Sequence, residues 1–171
     1  MPSSGRDVTA QGLGGTLDLR DASGRIRRVA DFRGDVVLLF FGYTRCPDVC
    51  PTTLLRMAEA MRLLRAEEAS RVRVLWVTVD PERDTASLVG RYVEAFNPAF
   101  IGLRGSVAQT DAVTAAFKFR YEITYYRSEV MVSHSPDGYL IDPRGRTRIR
   151  IGYDATPDQI VRDVRFALSG G

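Results

Sequence analysis

The chain is 171 residues long, room for one compact domain and too little for two. Its 44% hydrophobic and 26% charged residues are ordinary for a globular protein, and no apolar run approaches the roughly 18–20 residues of a membrane span. The net charge of +3 comes from 24 basic and 21 acidic residues, interleaved in a way that argues against nucleic-acid binding.

Met1 to Gly12 lacks the apolar core of a signal peptide. Residues 1–13 therefore read as a flexible N-terminal segment, ahead of a single domain over 14–169. Thr16 to Leu19 and Ile26 to Val29 flank the turn Asp21-Ala-Ser-Gly24, an N-terminal hairpin. Val36 to Phe41 is a continuous run of β-formers, as a central strand buried on both faces requires. A loop with two prolines follows, Gly42-Tyr-Thr-Arg-Cys-Pro-Asp-Val-Cys-Pro51. From Thr52 the apolar positions Leu54, Leu55, Ala58, Met61 and Leu64 recur at helical spacing, with Pro51 read as the first helical residue and Cys50 as its cap.

Val72 to Val79 reads as a second buried strand. Asp84 or Thr85 can cap a helix carrying Leu88, Val89, Tyr92, Val93 and Phe96. Phe100 to Leu103 reads as a short strand, Val107 to Phe117 as a helix, and Glu122 to Val132 as extended structure leading to His134. Tyr139 to Asp142 and Arg146 to Gly152 form a hairpin, whose alternating arginines suit a solvent face, and Thr156-Pro157 opens a last helix. The pattern indicates an α/β fold, a central mixed sheet flanked by helices. A cysteine loop between the first long strand and its helix is the thioredoxin arrangement.

The chemistry concentrates in two cysteines and one histidine. Pro47 and Pro51 restrict the loop that presents Cys46 and Cys50, and a helix N-terminus with Arg45 nearby favours thiolate. Such a loop suits metal capture or disulfide chemistry, and spacing does not choose between them. A purely stabilising disulfide is a poor alternative, because so short a loop has little entropy to lose. His134 precedes the strand near Tyr139; in a thioredoxin-like sheet that loop faces the cysteines, so its imidazole would complete a Cys2His set. Three ligands underfill a structural zinc site, whereas paired thiolates suit Cu(I) and, with imidazole, Cu(II). Met57, Met61 and Trp76 read as core, and Asp80, Glu82 and Asp84 as caps and turn formers; Met131 is a candidate auxiliary thioether.

At these residues the chain resembles the Sco/SenC family of copper chaperones. The matching segments are Phe41-Gly-Tyr-Thr-Arg-Cys-Pro-Asp-Val-Cys-Pro-Thr-Thr-Leu54, Thr78-Val-Asp-Pro-Glu-Arg-Asp-Thr85, and His134-Ser135 ahead of Tyr139-Leu-Ile-Asp-Pro-Arg-Gly145. The resemblance implies a thioredoxin-like fold and one copper ion, Cu(I) or Cu(II), held by Cys46, Cys50 and His134. It further implies delivery to the dinuclear copper site of cytochrome c oxidase subunit II, with another copper chaperone as a donor. The alternative is a thiol–disulfide reductase that uses Cys46 and Cys50 to keep that site's cysteines reduced. A bacterial, periplasm-facing monomer is expected, and the membrane anchor usual in the family is not in these 171 residues. Two departures stand out: Ser133 where the family often has an acidic residue, and a turn-like Pro136-Asp-Gly138 where an apolar strand start is common.

Overall fold

The computed structural model describes residues 1–126, 129–134 and 136–171, and the side chains of all of these except 126 and 129–134. In chain order the elements are β1 (Gly5–Asp7), β2 (Leu17–Arg20), β3 (Ile26–Arg28), β4 (Val36–Gly42), α1 (Val49–Leu63), α2 (Ala66–Ala69), β5 (Val72–Thr78), α3 (Ala86–Glu94), β6 (Ile101–Leu103), α4 (Val107–Ala116), β7 (Tyr121–Tyr126), β8 (Glu129–His134), β9 (Gly138–Ile141), β10 (Thr147–Ile151) and α5 (Pro157–Leu168). No helix among the described residues is long and apolar enough to cross a membrane.

Six strands form a mixed sheet in the order β1-β10-β9-β4-β5-β6. The pairs β4–β5 and β5–β6 are parallel, while β9, β10 and β1 join antiparallel. All seven residues of β4 are buried, as its unbroken apolar run requires of a strand covered on both faces. Alternation divides them between two cores. Val36, Leu38 and Phe40 join Val72, Val74 and Trp76 of β5 on the face covered by α1, α3 and α5. Val37, Leu39 and Phe41 join Leu75 and Val77 on the other, against the β2–β3 hairpin and Val113 of α4.

The structure differs from the sequence reading in three places. The first concerns residues 1–13, read as flexible: Gly5–Asp7 pairs with β10, and the Ser3 and Ser4 amides donate to the buried Asp163 carboxylate at 2.7–3.1 Å. These contacts are made by exposed or polar residues through backbone groups, which carry no hydrophobic pattern to read. Secondly, α1 begins at Val49, so Pro51 is its third residue and Cys50 lies inside the first turn. None of the first N–H groups of a helix has an intrahelical acceptor, so proline fits that turn at more than one position. Thirdly, the extended structure expected over Glu122 to Val132 is present but as two strands, Tyr121–Tyr126 and Glu129–His134, paired antiparallel.

Glu68 of α2 ties this layer together. It accepts from the Arg65 backbone N–H at 2.9 Å and from the Arg165 side chain at 3.0 and 3.2 Å, joining α2 to α5. The Arg165 guanidinium, helped by Arg65, lowers its carboxyl from the ordinary 4.5 to about 2. A folded value below the unfolded one stabilises the fold above pH 4.5, and that contribution disappears as pH falls from 4.5 towards 2. Glu68→Gln is expected to lower the unfolding temperature at neutral pH and to flatten its decline across that window. Parallel wild-type and variant profiles from pH 5 to 2 would refute the linkage.

Candidate functional site

The cysteine loop leaves the C-terminal end of β4, where parallel neighbours β4 and β5 finish side by side. The Cys46 amide donates to the Tyr43 carbonyl at 3.2 Å, closing a turn, and α1 starts three residues later. Asp48, the residue before α1, makes no side-chain cap. An N–H of the first turn is thereby left for a sulfur: the Cys50 amide donates to Cys46 Sγ at 3.5 Å. The two cysteines are not joined in a disulfide; Cys46 is half-buried and Cys50 buried.

This inverts the expectation that the helix terminus favours thiolate at Cys50. The sulfur at the terminus is that of Cys46. Hydrogen bonding with Cys46 and burial push the Cys50 thiol far above the ordinary thiol range, with smaller contributions from the charges at Cys46 and Asp84. A hydrogen bond with the Tyr43 backbone opposes the shift. The loop therefore carries one accessible sulfur beside helical N–H dipoles and one sealed beneath it.

Cys50 fits because residue 42 has no side chain. A Cβ on Gly42 would stand 2.5 Å from Cys50 Sγ and 3.0 Å from Cζ2 and Nε1 of Trp76. Trp76 is core, as expected, and its ring lies 5.2 Å from that of Tyr92. The Tyr92 hydroxyl is buried with no hydrogen-bond partner among the described residues, and burial raises its pKa, reinforced by the charges of Cys50, Cys46 and Asp84.

The second sequence motif packs directly under the loop. Asp80 and Asp84 are both buried. Asp80 accepts from Arg83 at 2.6 Å, and the Arg83 guanidinium lies 5.6 Å from the Tyr125 ring of β7. Asp84 accepts from the Thr44 amide at 3.0 Å, the Thr44 hydroxyl at 2.5 Å and the Thr78 hydroxyl at 2.6 Å. Thr85, not Asp84, caps α3. Reading Asp84 as a possible cap missed this role, because its partner Thr44 is 40 residues away in sequence.

His134 is the last residue of β8, opposite Tyr121. Its side chain lies outside the described residues, as do those of Met131 and Ser133. The backbone route is informative. Four residues on, Gly138 pairs with Phe40 of β4, two positions before Gly42. Because β9 runs antiparallel to β4, its start lies at the sheet end from which the cysteine loop emerges. Among the described residues, no third His, Cys, Asp or Glu gathers with the two cysteines into a metal-holding group.

Two thiols between a parallel-sheet strand and its helix, in a mixed sheet covered on both faces, define a dithiol protein of the thioredoxin-like class. The SCO1/SenC family model matches residues 6–169, and the chain belongs to that family. It is 39% identical over 154 residues to "Protein SCO2 homolog, mitochondrial" of Bos taurus, covering 88% of this chain and 58% of that protein. Apo Sco1 of Thermus thermophilus superposes with a TM-score of 0.80 at 38% identity, covering 86% of this chain and 87% of the other. ScoI of Bradyrhizobium japonicum, solved with copper bound, gives 0.83 at 31%, covering 91% and 99%.

Proposed function

We propose that this protein is a copper chaperone that takes one copper ion as cargo on Cys46, Cys50 and His134. It passes the ion to the dinuclear copper site of cytochrome c oxidase subunit II, with another copper chaperone as donor. In this reading it works as a monomer facing the periplasm of a bacterium. The observation that carries the reading is the pair of thiols presented by one loop, with the Cys50 amide on Cys46 Sγ. Supporting it are the copper-bound state of the Bradyrhizobium relative and the return of the chain from His134 to the loop's end of the sheet. Two thiolates and an imidazole form a donor set suited to both copper oxidation states. The half-buried Cys46, the more accessible of the two, is where an incoming partner thiol can reach the ion, so transfer proceeds by stepwise ligand exchange from that side.

The asymmetry of the two sulfurs favours a second reading, the thiol–disulfide reductase. Cys46 thiolate attacks a partner disulfide and releases one partner thiolate; Cys50 then attacks Cys46 Sγ, releasing the second and leaving a Cys46–Cys50 disulfide. The partner gains two electrons and the loop loses two. His134 has no part in that sequence. Titration of the reduced protein with Cu(I) and Cu(II) should therefore give one ion per chain, with His134→Ala weakening Cu(II) at least about tenfold. Its disulfide-exchange rate should change by less than about threefold, since that rate follows thiolate fraction, nucleophilicity and access. Undiminished affinity of His134→Ala for both oxidation states would overturn the three-ligand site and favour the reductase.

A further inference from the structure

We propose that Asp84 is the positioning residue of the dithiol loop: its buried carboxylate grips Thr44 and so holds Cys46 in bonding register with Cys50. The proposal rests on reading these two cysteines as the working pair.

The two sides of Cys46 are constrained differently. On its C-terminal side, Pro47 and the first turn of α1 limit the backbone. On its N-terminal side there is no proline, only the turn closed by the Cys46 amide on the Tyr43 carbonyl. Thr44 lies inside that turn, and Asp84 takes both of its donors, the amide at 3.0 Å and the hydroxyl at 2.5 Å. A third donor, the Thr78 hydroxyl at 2.6 Å, anchors the same carboxylate to the end of β5.

Asp84 is itself rigidly mounted. Its amide donates to the Asp80 carbonyl at 2.9 Å. Arg104, just beyond β6, donates from Nε to the Asp84 carbonyl at 2.8 Å and from its guanidinium to the Pro81 carbonyl at 2.6 and 3.0 Å. At 1% exposure the carboxylate has no competing water, so its hydrogen bonds to Thr44 are strong and directional. The Asp80–Asp84 segment thus acts as a bracket bolted to β5 and β6, and it holds the cysteine loop through Thr44.

Closing a disulfide and chelating one ion share a requirement: two sulfurs must be in place together. Holding one of them beforehand removes part of the entropy cost of either event. Reactions that use Cys46 alone gain nothing from it. Loss of the bracket should therefore weaken two-sulfur chemistry and spare one-sulfur chemistry, a separation that a general loss of stability does not produce.

The test uses Asp84→Asn, Thr44→Val and the double variant, equilibrated with glutathione and glutathione disulfide. Cys46 and Cys50 give up two hydrogens and form one S–S bond, while one glutathione disulfide becomes two glutathiones. Each single substitution is expected to lower the ring-closure constant about tenfold, equivalent to about 30 mV for this two-electron couple. Because the hydroxyl bond lost in Thr44→Val is one of those Asp84 accepts, the double variant should fall no further than the larger single effect. Alkylation of Cys46 by iodoacetamide should change less than about twofold. Thr44→Val keeps the Asp84 charge and decides the matter alone if Asp84→Asn does not fold. An unchanged ring-closure constant in folded variants, additive losses, or a parallel fall in alkylation would each overturn the proposal. Wild-type protein that closes this disulfide yet takes up no copper would refute the copper reading and leave the role of Asp84 standing.

Discussion

Cys46→Ser is expected to abolish disulfide exchange, while Cys50→Ser should keep the first half of it and stall. The difference follows from burial. Cys46 is half-buried, with its sulfur at the first turn of α1, where the Cys50 amide at 3.5 Å favours the thiolate. Cys50 is 2% exposed and its thiol is held protonated by hydrogen bonding with Cys46 and by burial. A partner disulfide can reach only the first. In Cys50→Ser, Cys46 should attack and form a mixed disulfide that nothing resolves, so the adduct accumulates and is seen by mass spectrometry. In Cys46→Ser no adduct should form. Copper should respond symmetrically, because an ion held by both thiolates loses one in either variant. Affinity should fall by more than about 100-fold, since even groups that only support a ligand carry 10–100-fold. An adduct on Cys50 of Cys46→Ser, formed at the wild-type rate, would overturn the assignment of attacking and resolving sulfurs.

How far the sequence revealed this depends on which kind of force was at work. The strands β4 and β5 were legible because burial on both faces demands a largely apolar run of β-formers; Val36 to Phe41 supplies an unbroken one, and Val72 to Val79 one interrupted only by Arg73 and Thr78. The start of α5 was legible because Thr156 caps and Pro157 follows at the first helical position, which the structure bears out with Thr156 bonded to the Gln159 amide. At α1 the same proline rule misled by two residues, since the whole first turn tolerates a missing N–H. That shift moved the cap from Cys50 to Asp48 and put Cys50 inside the first turn, with the Cys46 sulfur accepting from its amide. β1 was hidden because its hold on β10 is backbone pairing by exposed residues. Asp84 was visible as a residue and invisible as a device. Its motif was singled out, yet the contact to Thr44 exists only once β4 and β5 lie side by side.

Gly42→Ala should be a damaging single-methyl change directly beneath the cysteine loop. Glycine here answers a demand for space, not for backbone freedom, since residue 42 continues β4 in register with Thr78. The added Cβ would lie 2.5 Å from Cys50 Sγ, closer than side chains tolerate, and 3.0 Å from the Trp76 indole, a contact that leaves no slack. Neither neighbour can yield freely: Trp76 is 1% exposed in the core, and Cys50 belongs to the first turn of α1. Overpacking of this kind costs about 1–3 kcal/mol, so the unfolding temperature should drop. The cheaper relief is for α1 to move outward, carrying Cys50 Sγ away from Cys46. Two-sulfur chemistry should then suffer beyond the stability loss, with copper affinity and disulfide closure falling together in protein that is still folded. Trp76, the only tryptophan in the chain, supplies the local readout. Its emission should shift to the red as packing around the indole loosens, and the shift should appear well below the unfolding transition. If Gly42→Ala keeps the wild-type emission, unfolding temperature and copper affinity, then β4 has room for a side chain at this position and Cys50 is not seated against it.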